Sequence, residues 1–219
     1  MNRIDPNGCT DGQITGECGY GGIYDTSAYV NDKYKNGWVS SNWGTLEPNV
    51  PKFLMKDLET DANNCVLTAI TRIFAYYRDN YGKDSIPDDA TLYSDIKAIA
   101  EGYGYSNETG TFPTKINNII NDTFKKYGYE GEGKSIYVWD FNTVKTEIDA
   151  GRPLLFNIAF GYYGDHTVSV VGYSEFTRSN GWFRETKRFI KVYDGWTQSN
   201  RYIDYDLINI GSFSTAKFE

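Results

Sequence analysis

Residues 164–173 read GDHTVSVVGY and contain His166, the one histidine of the 219-residue chain. The stretch begins as a short polar turn and continues as an apolar, β-branched run, a pattern that is typical of a strand. Imidazole is the side chain that most often moves protons near neutral pH. Any mechanism that needs an imidazole base therefore has a single candidate here, His166.

Two other reactive residues lie on either side of this strand in the sequence. Upstream, residues 61–70 read DANNCVLTAI, and Cys65 stands where a polar stretch becomes an amphipathic helix. Downstream, residues 189–196 read FIKVYDGW and predict a strand that ends on Asp194. A cysteine at a helix start, followed by a histidine and an acid at strand edges, is the order that a cysteine-nucleophile acyl transferase requires.

The predicted place of Cys65 in a first helical turn favours its ionisation. A free thiol has a pKa of about 8.5, which a helix N-terminus and an adjacent imidazolium both lower. We expect His166 to take the thiol proton and return it to the leaving amine, and Asp194 to fix the ring through its second nitrogen. Each residue also has an ordinary structural explanation, as core packing, a hydrogen-bonded histidine or a strand-end acid. Their conjunction in this order favours the catalytic hypothesis.

The hydrophobic period of the chain changes part-way along. Spacings of three and four predict a helix over residues 64–81, and further helices are predicted near 91–100, 114–126 and 142–150. Strands are predicted at 153–160, 167–173, 188–194 and 201–204. Helices followed by strands predict an α+β domain, in which an N-terminal helical lobe packs on an antiparallel sheet lobe. A cleft between the lobes would bring Cys65 to His166.

Residues 1–50 differ in composition from the remainder. They are rich in Gly, Asn, Asp, Ser and Tyr and have weak periodicity. We interpret them as a loop-rich N-terminal segment, either an extension or a propeptide remnant, with one or two helical turns over 24–34. Residues 51–219 are predicted to form one catalytic domain.

Charge and hydropathy exclude several classes of protein. The net charge is −7 and the basic residues form no cluster, so no nucleic-acid binding is expected. No apolar stretch is long enough to span a membrane, and the N-terminus lacks the apolar segment of a secretory signal. A monomer is favoured.

The remaining cysteines bear on compartment and metal binding. Cys9 and Cys18 flank a Gly-containing loop and could pair, leaving Cys65 as the odd thiol; three free thiols in a reducing cell are the alternative. We expect a secreted or cell-surface protein. No Cys-x-x-Cys pair occurs and the histidine is remote in sequence, so neither a metal nor a cofactor is expected.

Four segments resemble those of bacterial papain-like cysteine peptidases of the bacteriocin-leader-processing kind. Residues 64–69 (NCVLTA) are similar to their Cys-Gly-Pro-Thr-Ala nucleophile segment, and residues 164–173 to their Gly-His-x-Val-x-Val-x-Gly-Tyr strand. Residues 192–196 (VYDGW) resemble their acid segment, and residues 151–155 (GRPLL) a Gly-x-Pro strand start. The resemblance spans residues 55–205 and implies a papain-like fold, a peptide or protein substrate, and hydrolysis through a thioester on Cys65.

The sequence departs from this pattern around the nucleophile. Val66 and Leu67 replace Gly-Pro, and Glu59 replaces the glutamine that usually lies six residues before the cysteine. An ionised glutamate cannot donate a hydrogen bond to an oxyanion, whereas the amides of Asn63 or Asn64 could, together with the Cys65 N–H.

Aromatic residues close to the predicted site are candidates for lining the cleft. Trp196 follows the proposed acid by two residues, and Tyr163 precedes His166 by three. Tyr162 and Trp139 are further candidates, and core packing is the alternative for each. Three functions fit the same residues: peptide hydrolysis, amine acyl transfer of the transglutaminase type, and a catalytically inactive binding module.

Overall fold

The computed structural model describes residues 20–60, 62–137, 140–208 and 210–219, with Asn180 described by its backbone alone. Cys9, Cys18 and Trp139 lie outside the described residues, so the disulfide expectation and the cleft-lining expectation for Trp139 fall there too.

Helices dominate the first half of the described chain and strands the second half. The helices are α1 (Thr26–Tyr34), α2 (Met55–Leu58), α3 (Cys65–Tyr81), α4 (Asp89–Glu101), α5 (Ile116–Lys126) and α6 (Phe141–Asp149). The strands are β1 (Val39–Thr45), β2 (Gly131–Ile136), β3 (Leu154–Ile158), β4 (His166–Asn180), β5 (Phe183–Tyr193), β6 (Arg201–Asp204) and β7 (Gly211–Phe218). The predicted α+β fold, with helices packed on an antiparallel sheet, is confirmed.

Helix α3 is the buried centre of the helical layer. Its residues 66–77 are all buried, so the helix is enclosed on every side over three turns. The helix ends at Gly82, whose left-handed φ of 62° suits the residue after a helix C-terminus. Helix α4 packs along it, and α3 itself rests on strands β3 and β4 of the sheet. The first residue of this rigid element is Cys65.

The strands form one antiparallel sheet in the order β2-β7-β3-β4-β5-β6. Strand β4 is long enough to take two partners on one edge: β3 pairs with residues 166–170, and β1 with residues 172–177. Strand β5 pairs along its other edge. His166 is therefore the first residue of a central strand, beside Ile158 of β3.

Alternate side chains of the sheet enter two different cores. Leu155 packs with α3, α4 and α5, whereas Leu154 and Phe156 pack with α6 on the opposite face. The sheet is thus covered on both sides. Within the described residues no helix combines the length and the apolar character that crossing a membrane requires.

Residues 20–50 contribute to this architecture. Helix α1 fits the helical turns predicted within 24–34, and β1 hydrogen-bonds to β4 in the sheet. Ile23 forms a bridge with Tyr202 beside β6. The division of the chain at residue 50 stays a prediction, since a shared sheet does not decide what the segment does.

Candidate active site

Cys65 is the first residue of α3 and is partly exposed. The first hydrogen bond of the helix runs from Thr68 N to Asn64 O, at 2.8 Å. The N–H groups of residues 65–67 precede that bond and so have no main-chain acceptor within the helix. They give the surroundings of the sulfur a partial positive charge.

The neighbours of Cys65 make its thiol more acidic, which favours the thiolate. Burial opposes its ionisation, but a hydrogen bond from His166, the charge of His166 and the backbone N–H groups of Thr167 and Val66 together lower the pKa of Cys65. Because the thiolate is the nucleophilic form, this setting suits covalent catalysis. The structure brings together two residues that lie about 100 positions apart in the sequence.

The imidazole of His166 is buried and fixed at one nitrogen. Its Nε2 lies 2.7 Å from the main-chain oxygen of Asp194, which can only accept, so Nε2 carries a proton and donates it. Nδ1 is then the ring nitrogen whose lone pair can accept a proton. The backbone N–H of His166 donates to Tyr163 O at 3.1 Å, which closes the turn before β4.

Two aromatic rings support the imidazole. Trp196 stacks on it with ring centroids 4.2 Å apart and an interplanar angle of 26°, and Tyr163 is nearly parallel to it at 5.9 Å. The two rings also contact each other, at 5.3 Å. Trp196 is partly exposed, whereas Tyr163 is fully buried and supports the ring from within. That these two residues line a cleft stays a prediction.

The carboxylate of Asp194 does not contact the imidazole. Oδ1 accepts from the backbone N–H groups of Trp196 (2.9 Å) and Thr197 (3.1 Å), and Oδ2 accepts from the Tyr163 hydroxyl at 3.3 Å. Burial raises the pKa of Asp194, although the two backbone N–H groups and Arg201 act in the opposite sense. Asp194 thus reaches His166 through its main chain, while its side chain closes the turn that carries Trp196.

Glu59 is committed to a polar network beside α4. Its carboxylate accepts from Lys97 (2.6 Å), Tyr93 (2.8 Å) and Asn107 (2.9 Å). The hydrogen bond from Lys97 is the main cause of the lowered pKa of Glu59. Glu59 is therefore an ionised acceptor and has no proton to offer an oxyanion.

The amides of the two asparagines before Cys65 are also engaged. The Asn64 amide nitrogen donates to Tyr93 Oη (3.0 Å), Met55 O (3.2 Å) and Glu59 O (3.4 Å), and its side chain is fully buried. The exposed Asn63 amide donates to Glu108 O at 2.5 Å. Of the donors that the sequence proposed for an oxyanion, the Cys65 N–H is the one left without an acceptor inside its own helix.

Comparison with known proteins adds a family to this geometry. Residues 47–216 match the Peptidase_C39 like family. The chain belongs to this family. The match includes Cys65, His166 and Asp194, and it supports membership of the papain-like cysteine peptidase superfamily, a peptidase-type function, and a peptide or protein substrate. No curated protein sequence matches the chain.

In this member of the Peptidase_C39 like family, Tyr20 supports the loop that leads to His166, a role that the sequence did not reveal. The Tyr20 hydroxyl donates to Phe160 O and accepts from Tyr163 N (3.3 Å), so it ties down the loop that leads to His166. A Cβ added at Gly22 would lie 2.6 Å from the Tyr162 ring, so the segment packs closely against that loop. Such contacts span 140 residues or more and leave no local signal.

Arg72 is a second residue that the sequence analysis did not single out. It is buried in α3 and donates to Ser169 on β4 and to Tyr193 O at the end of β5. A charged residue inside the apolar pattern of a helix was the available signal.

Among the described residues, no group of three or more His, Cys, Asp or Glu side chains is placed to hold a metal ion.

Proposed function

We propose that this chain is a cysteine peptidase that hydrolyses peptide bonds through a thioester on Cys65. His166 is the general base and acid, and Asp194 orients the imidazole through its main-chain oxygen. The observation that carries the proposal is the double engagement of His166, which donates from Nε2 to Asp194 O while it lowers the pKa of the Cys65 thiol. The family match supports the same function at a coarser level.

The proposed reaction has two stages. The Cys65 thiolate attacks the carbonyl carbon of the scissile peptide, and the imidazolium of His166 gives its Nδ1 proton to the leaving amine as the C–N bond breaks. Water then attacks the thioester, giving a proton to Nδ1, and the carboxylic acid leaves as Cys65 regains its thiolate. The Cys65 N–H at the start of α3 is the proposed donor to the oxyanion in both stages.

Selective labelling of Cys65 tests the nucleophile. A peptide carrying a thiol-directed electrophile is expected to label the chain, and the Cys65→Ala variant is expected to stay unlabelled. The matched control is the Cys9→Ser/Cys18→Ser chain, which keeps Cys65 and should label like the unaltered protein. Equal labelling of Cys65→Ala and the unaltered protein would remove Cys65 from this role.

A catalytically inactive binding module is the second candidate. It is favoured by the engagement of Glu59 and the Asn64 amide, because loss of one oxyanion donor typically lowers turnover about a hundredfold or more. Stoichiometric labelling of Cys65 without turnover of any peptide in a library would support this candidate. Cleavage of a library peptide that disappears in Cys65→Ala would exclude it.

Amine acyl transfer uses the same thioester. Incubation with a cleaved peptide and a primary amine separates the two outcomes, since hydrolysis gives a free carboxylate and transfer gives an amide. We propose hydrolysis as the main product.

A secreted or cell-surface monomer completes the proposal. Its support is the spacing of Cys9 and Cys18, which suits a small disulfide loop. Thiol counting on the unreduced, denatured protein is expected to find one free thiol. Three free thiols would favour a reducing compartment.

A further inference from the structure

Arg72 lies on the same face of α3 as Cys65. They are seven positions apart, which is about two helical turns. The guanidinium is almost fully enclosed, with 2% of the residue exposed. Its contacts with described residues are with neutral acceptors and aromatic rings, and none of the ion pairs found among those residues includes it. A buried charge without a carboxylate in direct contact is unfavourable for folding, so packing alone does not explain an arginine here.

The guanidinium links three segments that surround the site. Nη1 donates to Ser169 Oγ at 2.7 Å and to Tyr193 O at 3.4 Å, and Nη2 donates to Phe53 O at 2.7 Å. Ser169 and Tyr193 are cross-strand partners in β4 and β5. Ser169 lies three residues after His166, and Tyr193 lies one residue before Asp194. Arg72 therefore holds β4 within three residues of the imidazole and β5 at the residue before its acceptor.

We propose that Arg72 is a positioning residue of the proposed active site, which fixes the Asp194 end of β5 against the helix that carries Cys65. The carbonyl of Tyr193 belongs to the planar peptide that leads into Asp194, so a hydrogen bond to it restrains the chain just before the oxygen that accepts from His166. The planar guanidinium offers several donors in a fixed geometry, which one ammonium group cannot reproduce.

The charge of Arg72 acts in the same place. Burial lowers the pKa of Arg72 to about 10, and the carboxylate of Asp194 opposes that shift. Arg72 is thus protonated at neutral pH and is attracted to the buried Asp194. The hydrogen bonds to three acceptors are the main evidence for the positioning role of Arg72, and the attraction to Asp194 agrees with it.

The inference rests on the proposed function, so its test measures the thiol directly and needs no substrate. In full-length Cys9→Ser/Cys18→Ser protein, the rate of Cys65 alkylation by iodoacetamide is measured from pH 5 to pH 9. Arg72→Met is expected to raise the midpoint of this profile by about one unit, which is about tenfold slower alkylation at the acid end. The reason is that an imidazole without a fixed partner stabilises the thiolate less well.

Two further variants keep the test decisive where Arg72→Met does not fold. Arg72→Lys keeps the charge and loses the fork of donors, and it is expected to shift the midpoint in the same direction. Ser169→Ala removes one acceptor at 2.7 Å and is expected to give a smaller shift of the same sign. A midpoint that stays at the unaltered value in both variants would overturn the proposal and leave Arg72 a purely structural residue.

A control arginine on the same helix separates positioning from stability. Arg78 pairs with Asp79 and Asp89 near the other end of α3. Arg78→Met is expected to lower thermal stability and leave the alkylation midpoint unchanged. If the unaltered profile were that of an ordinary thiol and indifferent to His166→Ala, the proposed function itself would fail. If His166→Ala changes the alkylation profile but the Arg72 and Ser169 variants do not, the positioning role of Arg72 alone would be overturned.

Discussion

The proposed catalytic centre has two sides that are held in opposite ways. On one side, the imidazole of His166 has a defined partner at Nε2, a thiol as its neighbour and two aromatic rings against its face. On the other side, the residues before Cys65 use their polar groups elsewhere: Glu59 accepts from Lys97, and the Asn64 amide donates to Tyr93.

The difference separates two requirements of acyl transfer. Forming and protecting a thiolate requires the histidine side, whereas stabilising an oxyanion requires free donors on the cysteine side. In the proposed mechanism, side chains serve the first requirement and backbone N–H groups serve the second. We therefore expect electrophiles to label Cys65 readily, even where the turnover of peptides is slow.

The largest expected effect comes from removing the imidazole. His166→Ala leaves Cys65 with the influence of burial, which raises the pKa of the thiol, and without the group that lowered it most. Peptide turnover is expected to fall about a thousandfold, within the range for a general acid–base group. The alkylation profile measures the same change, since the thiolate that persists below the ordinary pKa of about 8.5 should be lost. Unchanged alkylation at neutral pH would contradict the histidine side of the comparison.

A smaller effect is expected from crowding the loop that leads to His166. In Gly22→Ala the new Cβ would meet the Tyr162 ring at 2.6 Å, and the residue would be held at a φ of +70°. Overpacking of this kind typically costs about 1–3 kcal/mol. We expect alkylation of Cys65 at neutral pH to slow about tenfold, because part of that strain displaces the aromatic rings beside the imidazole.

Gly82→Ala is the matched control for this backbone strain. Gly82 has a φ of +62°, and a Cβ there would meet open space. It should lower the melting temperature as a strained residue does, without slowing alkylation. Equal slowing in both variants would mean that general destabilisation, and not the loop, controls the thiol.

Replacing the carboxylate of Asp194 is expected to have a modest effect. In Asp194→Asn the main-chain oxygen that accepts from His166 is retained, and an amide oxygen can still accept from Trp196 N and Thr197 N. We expect turnover to fall by less than about fivefold, whereas a triad whose carboxylate holds the histidine typically loses about ten-thousandfold. A steady-state measurement with one cleaved peptide decides between them. A loss of the larger size would mean that the carboxylate turns to the imidazole during the reaction.

The smallest effect is expected at Glu59. If its carboxylate serves the network with Lys97 and not the oxyanion, Glu59→Gln should change turnover by less than about twofold. The ion pair it removes is partly exposed, so the stability change should also be small. Lys97→Gln is the control that breaks the same pair from the other end. A large rise in turnover in Glu59→Gln alone would show that the amide does reach the oxyanion.

Much of the fold follows from local patterns. The helix over residues 64–81 begins within one residue of α3, because its apolar spacing and the polar stretch before it are local features. Strands β2 and β7 were not predicted, and no bounds were predicted for β1, a short strand within the loop-rich residues 1–50. Strand β2 reads GEGKSI, whose glycines suggest a turn. Gly133 is there because Ile120 of α5 packs directly on its backbone, a contact that no local pattern reveals.

The order of residues already specifies which groups could perform the chemistry: a single imidazole at a strand start, a thiol at a helix start and an acid at a strand end. How these groups are oriented depends on contacts between distant segments: the Asp194 main chain faces His166, Glu59 accepts from Lys97, and Arg72 joins two strands. The physical reason is that hydrophobic period is encoded by near neighbours. The direction of a polar side chain is set instead by partners such as Tyr20 and Tyr163, which lie 143 residues apart.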